Sequence, residues 1–198
     1  MLPRMNKRRT MSPINHSNQD ISRHIDLLAG DRPTCMRAVQ ALAQIGIPAI
    51  PALLQAMHDP DRWFAAAEAL TAIGQPAIQP LIDLMREPPF GNLAFHALTN
   101  MGTIAVPAFI AALSDSDDEV RMWAATAFEV DPTNDAYDAL VAGLDDPDVD
   151  VRVTIIRAIG KLDRRKILPQ LQKMQHSEQD SAIQQALDEA VRHLSSIA

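Results

Sequence analysis

One phrase returns down this chain at a fixed interval, and that interval restricts the fold more than any other feature. It reads Ala41-Leu42-Ala43-Gln44-Ile45-Gly46, then Ala69-Leu70-Thr71-Ala72-Ile73-Gly74, then Ala97-Leu98-Thr99-Asn100-Met101-Gly102. Gly46, Gly74 and Gly102 are spaced 28 residues apart. A second phrase keeps step at seven, eight and eleven residues past each glycine: Leu53-Leu54 with Met57, Leu81-Ile82 with Met85, Phe109-Ile110 with Leu113. Self-similarity at such a period means a stack of small units, each burying its apolar face only against its neighbours.

Each unit divides into two short helices, A and B. Helix A opens at proline, as in Pro48-Ala49-Ile50-Pro51 and Pro76-Ala77-Ile78-Gln79-Pro80. A first-turn proline loses no helical hydrogen bond, and its φ already suits a helix. An acidic turn then links A to B: Asp59-Pro60-Asp61, Ser114-Asp115-Ser116-Asp117, Asp145-Asp146-Pro147-Asp148. Aspartate there can cap helix B and face the positive end of its dipole. Helix B runs to the glycine that ends it.

Following the small-plus-large pair gives the later units: Ala97-Leu98 becomes Ala127-Phe128, Ala158-Ile159 and Ala190-Val191, at intervals of 30, 31 and 32 residues. The expected pairs are 20–29/33–45, 48–58/62–73, 76–86/90–101, 104–114/118–130, 134–144/149–161 and 165–175/179–195. The fold class is therefore all-α, a right-handed α-solenoid of about six antiparallel helix pairs. Residues 20–198 form its single domain, with 179–195 as the C-terminal capping helix. Residues 1–19 are expected to be a flexible tail, basic through Arg4, Lys7, Arg8 and Arg9.

Charge narrows the partners. Removing the four tail cations from the net charge of −7 leaves −11 on residues 20–198. A body of that sign repels phosphate backbones, so no nucleic-acid partner is expected unless basic residues gather on one face. No apolar run of about 20 residues is present, which gives no membrane partner. Arg8-Arg9 precede Met11-Ser12-Pro13-Ile14-Asn15, which is not an apolar export core. The single cysteine, Cys35, fits a reducing compartment. A cytoplasmic location and a monomer able to enter a hetero-complex are the expectations.

The repeat units resemble HEAT repeats, specifically the short kind named after phycobilisome lyases. The residues that carry this are Asp117-Asp118-Glu119-Val120-Arg121 with Ala124-Ala125 and Ala127-Phe128, Asp148-Val149-Asp150-Val151-Arg152 with Ala158-Ile159-Gly160, and the segment 46–54. Arg62-Trp63 and Phe90-Gly91 depart from the Val-Arg pattern. The resemblance implies B helices on the concave side and binding of another protein along that groove. It also implies an alternative, a bilin lyase, isomerase or chaperone-like subunit acting on phycobiliproteins. A di-iron hydroxylase of this repeat type needs His-Glu pairs, and none of the six histidines here is followed by glutamate.

Other constellations have plain explanations. Asp146, Asp148 and Asp150 alternate as in a calcium loop, but Val151 occupies the bend position and Arg157 the bidentate one. Capping accounts for these acids, and no metal or cofactor is expected. Arg121 and Arg152 are expected to reach turn carboxylates, in exposed pairs contributing about 0–1 kcal/mol. No catalytic residue stands out.

The groove is more informative. On helix B the core set is Val120, Ala124, Ala125 and Phe128. Off that face, equivalent positions stack in rows: Met36, Phe64, Asn92, Met122, Val153; then Arg37, Ala65, Leu93, Trp123, Thr154; then Gln40, Glu68, His96, Thr126, Arg157. The candidate groove residues are Met36, Phe64, Leu93, Met122 and Trp123 as apolar anchors, with Glu68, His96 and Arg157 orienting a protein or peptide ligand.

Overall fold

The computed structural model describes residues 18–162 and 164–196. Among these, twelve α-helices form six consecutive hairpins, with no strand. The A helices are α1 (Asn18–Asp26), α3 (Ile50–Ala56), α5 (Gln75–Leu84), α7 (Val106–Ala112), α9 (Tyr137–Ala142) and α11 (Leu168–Ser177). The B helices are α2 (Arg32–Ile45), α4 (Trp63–Ile73), α6 (Gly91–Asn100), α8 (Asp118–Val130), α10 (Val149–Gly160) and α12 (Ser181–Ser196). The chain is an α-solenoid. Residues 1–17 lie outside the described residues, and α1 begins two residues before the expected start of the domain at residue 20.

The capping chemistry fixes most B-helix starts. Asp31 Oδ1 accepts from the Thr34 amide, Asp117 from Val120, and Asp148 from both Asp150 and Val151. Asp180 does the same for Ala182 and Ile183. Each satisfies amides that the first helical turn would leave without partners. The turn before α4 differs: Asp59 accepts from Asp61, and Arg62 at the N-cap offers no side-chain acceptor.

Glycine ends three B helices for a backbone reason. Gly46, Gly74 and Gly102 have φ of +72°, +78° and +63°, a region L-residues with a Cβ avoid. Later units lack this glycine. Gly160 is helical, and a Cβ there would sit 2.8 Å from that of Ala190. It serves the close approach of α10 and α12.

Proline behaves partly as expected. Pro48 lies in a 3-10 turn (Ile47–Ala49), while Pro51 and Pro76 occupy first turns. Pro80, expected with the opening of its helix, lies inside α5, where it removes the bond an amide would make to the Pro76 carbonyl. Burial of Leu81 and Ile82 beside it holds the helix together.

The core runs as a ribbon between the layers. Leu42, Leu53, Met57, Leu70, Leu81, Met85, Leu98, Phe128, Leu140, Ile155 and Ile156 are all less than 2% exposed. The expected B-face set of Val120, Ala124, Ala125 and Phe128 is buried with them. Phe109 meets Phe95 and Phe128 at ring-centroid distances of 6.3 Å each. Alanines at 66, 69, 94 and 97 keep neighbouring B helices close. B helices pack on one another more extensively than A helices do, most of all α8–α10 and α10–α12. The more tightly spaced layer of a stack lies on the inside of its curve, so the B helices form the inner face.

Candidate binding face

Two surfaces gather side chains with chemistry: the edge carrying the A–B turns, and the inner face of the B helices.

At the edge, arginine links successive turns. Arg86, at the end of α5, donates to both Asp115 oxygens at 2.6 and 2.7 Å, one unit further on. Arg121 donates from Nε and Nη2 to Asp146 at 2.7 and 2.9 Å, again one unit further, and from Nη1 to the Asp115 carbonyl. Arg152 bonds the carbonyls of Asp146 and Pro147 in its own turn. The side chains of Arg121 and Asp146 are only 11% and 5% exposed. The expectation of exposed, weak pairs is thus corrected for this one. Removing one member would leave a buried charge, at about 3–5 kcal/mol. The Arg86 guanidinium holds the Asp115 carboxyl below the usual carboxylate range. Asp146 therefore serves an arginine and Asp148 a helix end, which accounts for two acids of the alternating run. Sequence reasoning missed Arg86 because it falls outside the Val-Arg motif.

On the inner face the three rows separate. In the first, Met36 and Phe64 are 52% and 61% exposed, Met122 is half-buried and Val153 buried. In the second, Ala65 is buried while Leu93, Trp123 and Thr154 are half-buried. In the third, Gln40, Glu68, His96 and Arg157 are exposed and Thr126 is half-buried. Hence Met36, Phe64, Glu68, His96 and Arg157 stand open, whereas Leu93, Met122 and Trp123 pack against the core.

Trp123 is held by its own chain. Its ring lies 5.1 Å from that of Phe95, and a Cβ on Gly91 would come within 2.9 Å of its Nε1. The glycine that replaced the Val-Arg arginine on α6 makes room for this indole from α8. Cys35 is half-buried, and burial raises its thiol pKa.

Toward the C-terminal end the inner face opens into a cavity of about 430 Å³. The crossing of α10 and α12 uses Gly160 and Ala190, whose small side chains leave space that long charged ones rim. Those are Glu129, Arg157, Lys161, Glu189 and His193. Arg157 is the one candidate groove residue among them. Extending its row by one unit reaches Glu189. The row four residues further on holds Lys161 and His193, so the repeat register contained the signal for all three. Lys161 Nζ bonds the Glu129 carbonyl at 2.8 Å and stands 3.5 Å from its carboxylate.

A family model described as HEAT repeats matches residues 25–102 and 106–192. The chain belongs to the HEAT-repeat family. No curated protein matches it. Among solved structures, it is similar to an engineered protein at 21% identity, over 89% of this chain and 97% of that one, with a TM-score of 0.46. A computationally designed armadillo repeat protein for modular peptide recognition matches at 19% identity, over 87% and 99% of the two chains, with a TM-score of 0.47. Among the described residues no single helix is long and apolar enough to cross a membrane.

Proposed function

We propose that this chain is a non-catalytic binding module that holds a protein or extended peptide along the inner face of its B helices. Met36 and Phe64 carry the reading. They occupy equivalent positions 28 residues apart on adjacent helices, and both stand more than half exposed. Among the described residues Phe64 is the one exposed Phe, Tyr or Trp ring, and exposed apolar groups of this kind mark binding surfaces. Side chains of this kind are frequent anchors in interfaces. Leu93, Met122 and Trp123 continue the strip as a half-buried shelf, and Glu68 and His96 flank it with polar groups that can orient a ligand.

The test is selection of random peptides displayed on phage against the folded wild-type chain and against Phe64→Ser. The proposal expects enriched peptides with a recurring apolar residue, binding the variant about tenfold more weakly or worse. Enrichment indifferent to Phe64 and Met36 would overturn it. The bilin-lyase alternative draws on the resemblance alone; visible absorbance appearing when an open-chain tetrapyrrole is added would bring it forward.

A further inference from the structure

The cavity between α8, α10 and α12 contains a cation that the fold does not use. Arg157 has no hydrogen-bond or ion-pair partner among the described residues and lines this hollow. The arginine at a second hollow, about 340 Å³ beside the turns, is different: Arg121 there is engaged by Asp146 and by the Asp115 carbonyl. Lys161 is likewise engaged, closing the end of α8 through the Glu129 carbonyl. Glu189, on the α12 wall, accepts from Gln185 and forms no ion pair with Arg157.

We infer that this cavity is a carboxylate subsite, which seats an Asp or Glu side chain of a peptide lying on the B helices, with Arg157 as the principal donor. The inference rests on the peptide-binding function proposed above and names the chemistry of its ligand. Guanidinium and carboxylate match as a two-pronged pair, and the partly enclosed site strengthens that bond relative to open water. The C-terminal end of α10 opposes an anion, but with at most about half an elementary charge, against the full charge of Arg157. Of the basic residues between Arg157 and Lys166, Lys161 joins Arg157 at the cavity, whereas Arg164 and Lys166 lie over the Tyr137 ring.

The same walls argue against a nucleic acid. A continuous polyphosphate entering the cavity would bring several charges past Glu129 and Glu189, whereas a single carboxylate brings one charge to face Arg157. The site therefore favours an isolated acid in a peptide otherwise poor in negative charge, offset from the apolar residue that reaches Phe64.

The experiment is the phage selection extended to Arg157→Glu and Arg157→Gln, with circular dichroism confirming that both variants fold; Arg157 is exposed, and neither change fills the core. The inference expects Asp or Glu at one fixed offset from the apolar residue in wild-type selections. A synthetic peptide from that set should lose at least about tenfold in affinity on Arg157→Gln and more on Arg157→Glu. Selections on Arg157→Glu should replace the acid by Lys or Arg. Peptides that depend on Phe64 but show no acidic preference altered at Arg157 would overturn this inference and leave the proposed function standing. No enrichment at all would overturn both. A fluorescein-labelled single-stranded oligonucleotide bound by wild type and released by Arg157→Glu would overturn the peptide assignment.

Discussion

Arg121 and Asp146, 25 residues apart in sequence, form a two-pronged ion pair that is almost wholly enclosed, tying the turn of the fourth hairpin to that of the fifth. The arginine also holds the carbonyl of Asp115, whose carboxylate is in turn gripped by Arg86 of the third hairpin. Three successive units are thus connected along one edge, independently of the core. Arg121→Met should lower unfolding free energy by about 3–5 kcal/mol, because Asp146 would be left buried and unpaired. Arg121→Met with Asp146→Leu should recover most of that loss. Urea denaturation of the three proteins checks both expectations.

Acid should act on the same edge through Asp115. Its carboxyl titrates below the usual range because Arg86 donates to it, opposed in part by burial. The folded state thus favours the ionised form more than the unfolded chain does. The stabilisation is fully present above the unfolded pKa of about 3.9 and fades as pH falls from there through the lower folded value. Urea midpoints between neutral pH and about pH 3 should fall less steeply in Arg86→Met than in wild type, with the difference confined to that acid window.

Glycine replacements should separate backbone strain from steric conflict. At Gly102 nothing lies within 4 Å of an added Cβ, yet φ is +63°. Gly102→Ala should therefore destabilise by about 1–2 kcal/mol through conformation alone, and no neighbouring change should rescue it. Gly160→Ala meets Ala190 at 2.8 Å in an ordinary helical backbone. Its loss should be relieved in part by Ala190→Gly, which removes the Cβ contact and leaves the Ala190 Cα 3.0 Å away. Thermal melts of the single and double variants make the comparison.

Two aromatic residues assigned to one groove should part company when truncated. Trp123→Ala removes a ring stacked near Phe95 and opens space over Gly91, so its melting temperature should drop markedly. Phe64 is 61% exposed, and Phe64→Ala should melt close to wild type while losing about 2 kcal/mol in binding a selected peptide. Calorimetric melting and a binding titration on the same preparations provide the readings.

These contrasts mark what the sequence disclosed. The 28-residue spacing and the travelling Ala-Leu pair located all six hairpins, and α8 occupies the expected 118–130. Asp117 and Asp148 cap as the turn composition indicated. Periodicity could not say which of two side chains one position apart, Phe64 or Ala65, would face solvent; helix phase and the spacing between helices decide that. Trp123 was drawn under cover by a glycine one hairpin earlier, a long-range relation invisible in a single repeat. The cavity was missed because it comes from small residues, Gly160 and Ala190, which read as ordinary packing. The charges around it were legible only once the Arg157 row was extended to Glu189.

The most direct measurement uses methionine methyl resonances. Met36 and Met122 lie on B helices of the inner face, whereas Met57 and Met85 are buried where α3 and α5 end. With methyl-labelled methionine, a phage-selected peptide titrated into the chain should shift the Met36 signal strongly and Met122 to a lesser degree, leaving Met57 and Met85 in place. Shifts confined to Met57 and Met85, with Met36 unmoved at saturation, would contradict binding on the inner face of the B helices.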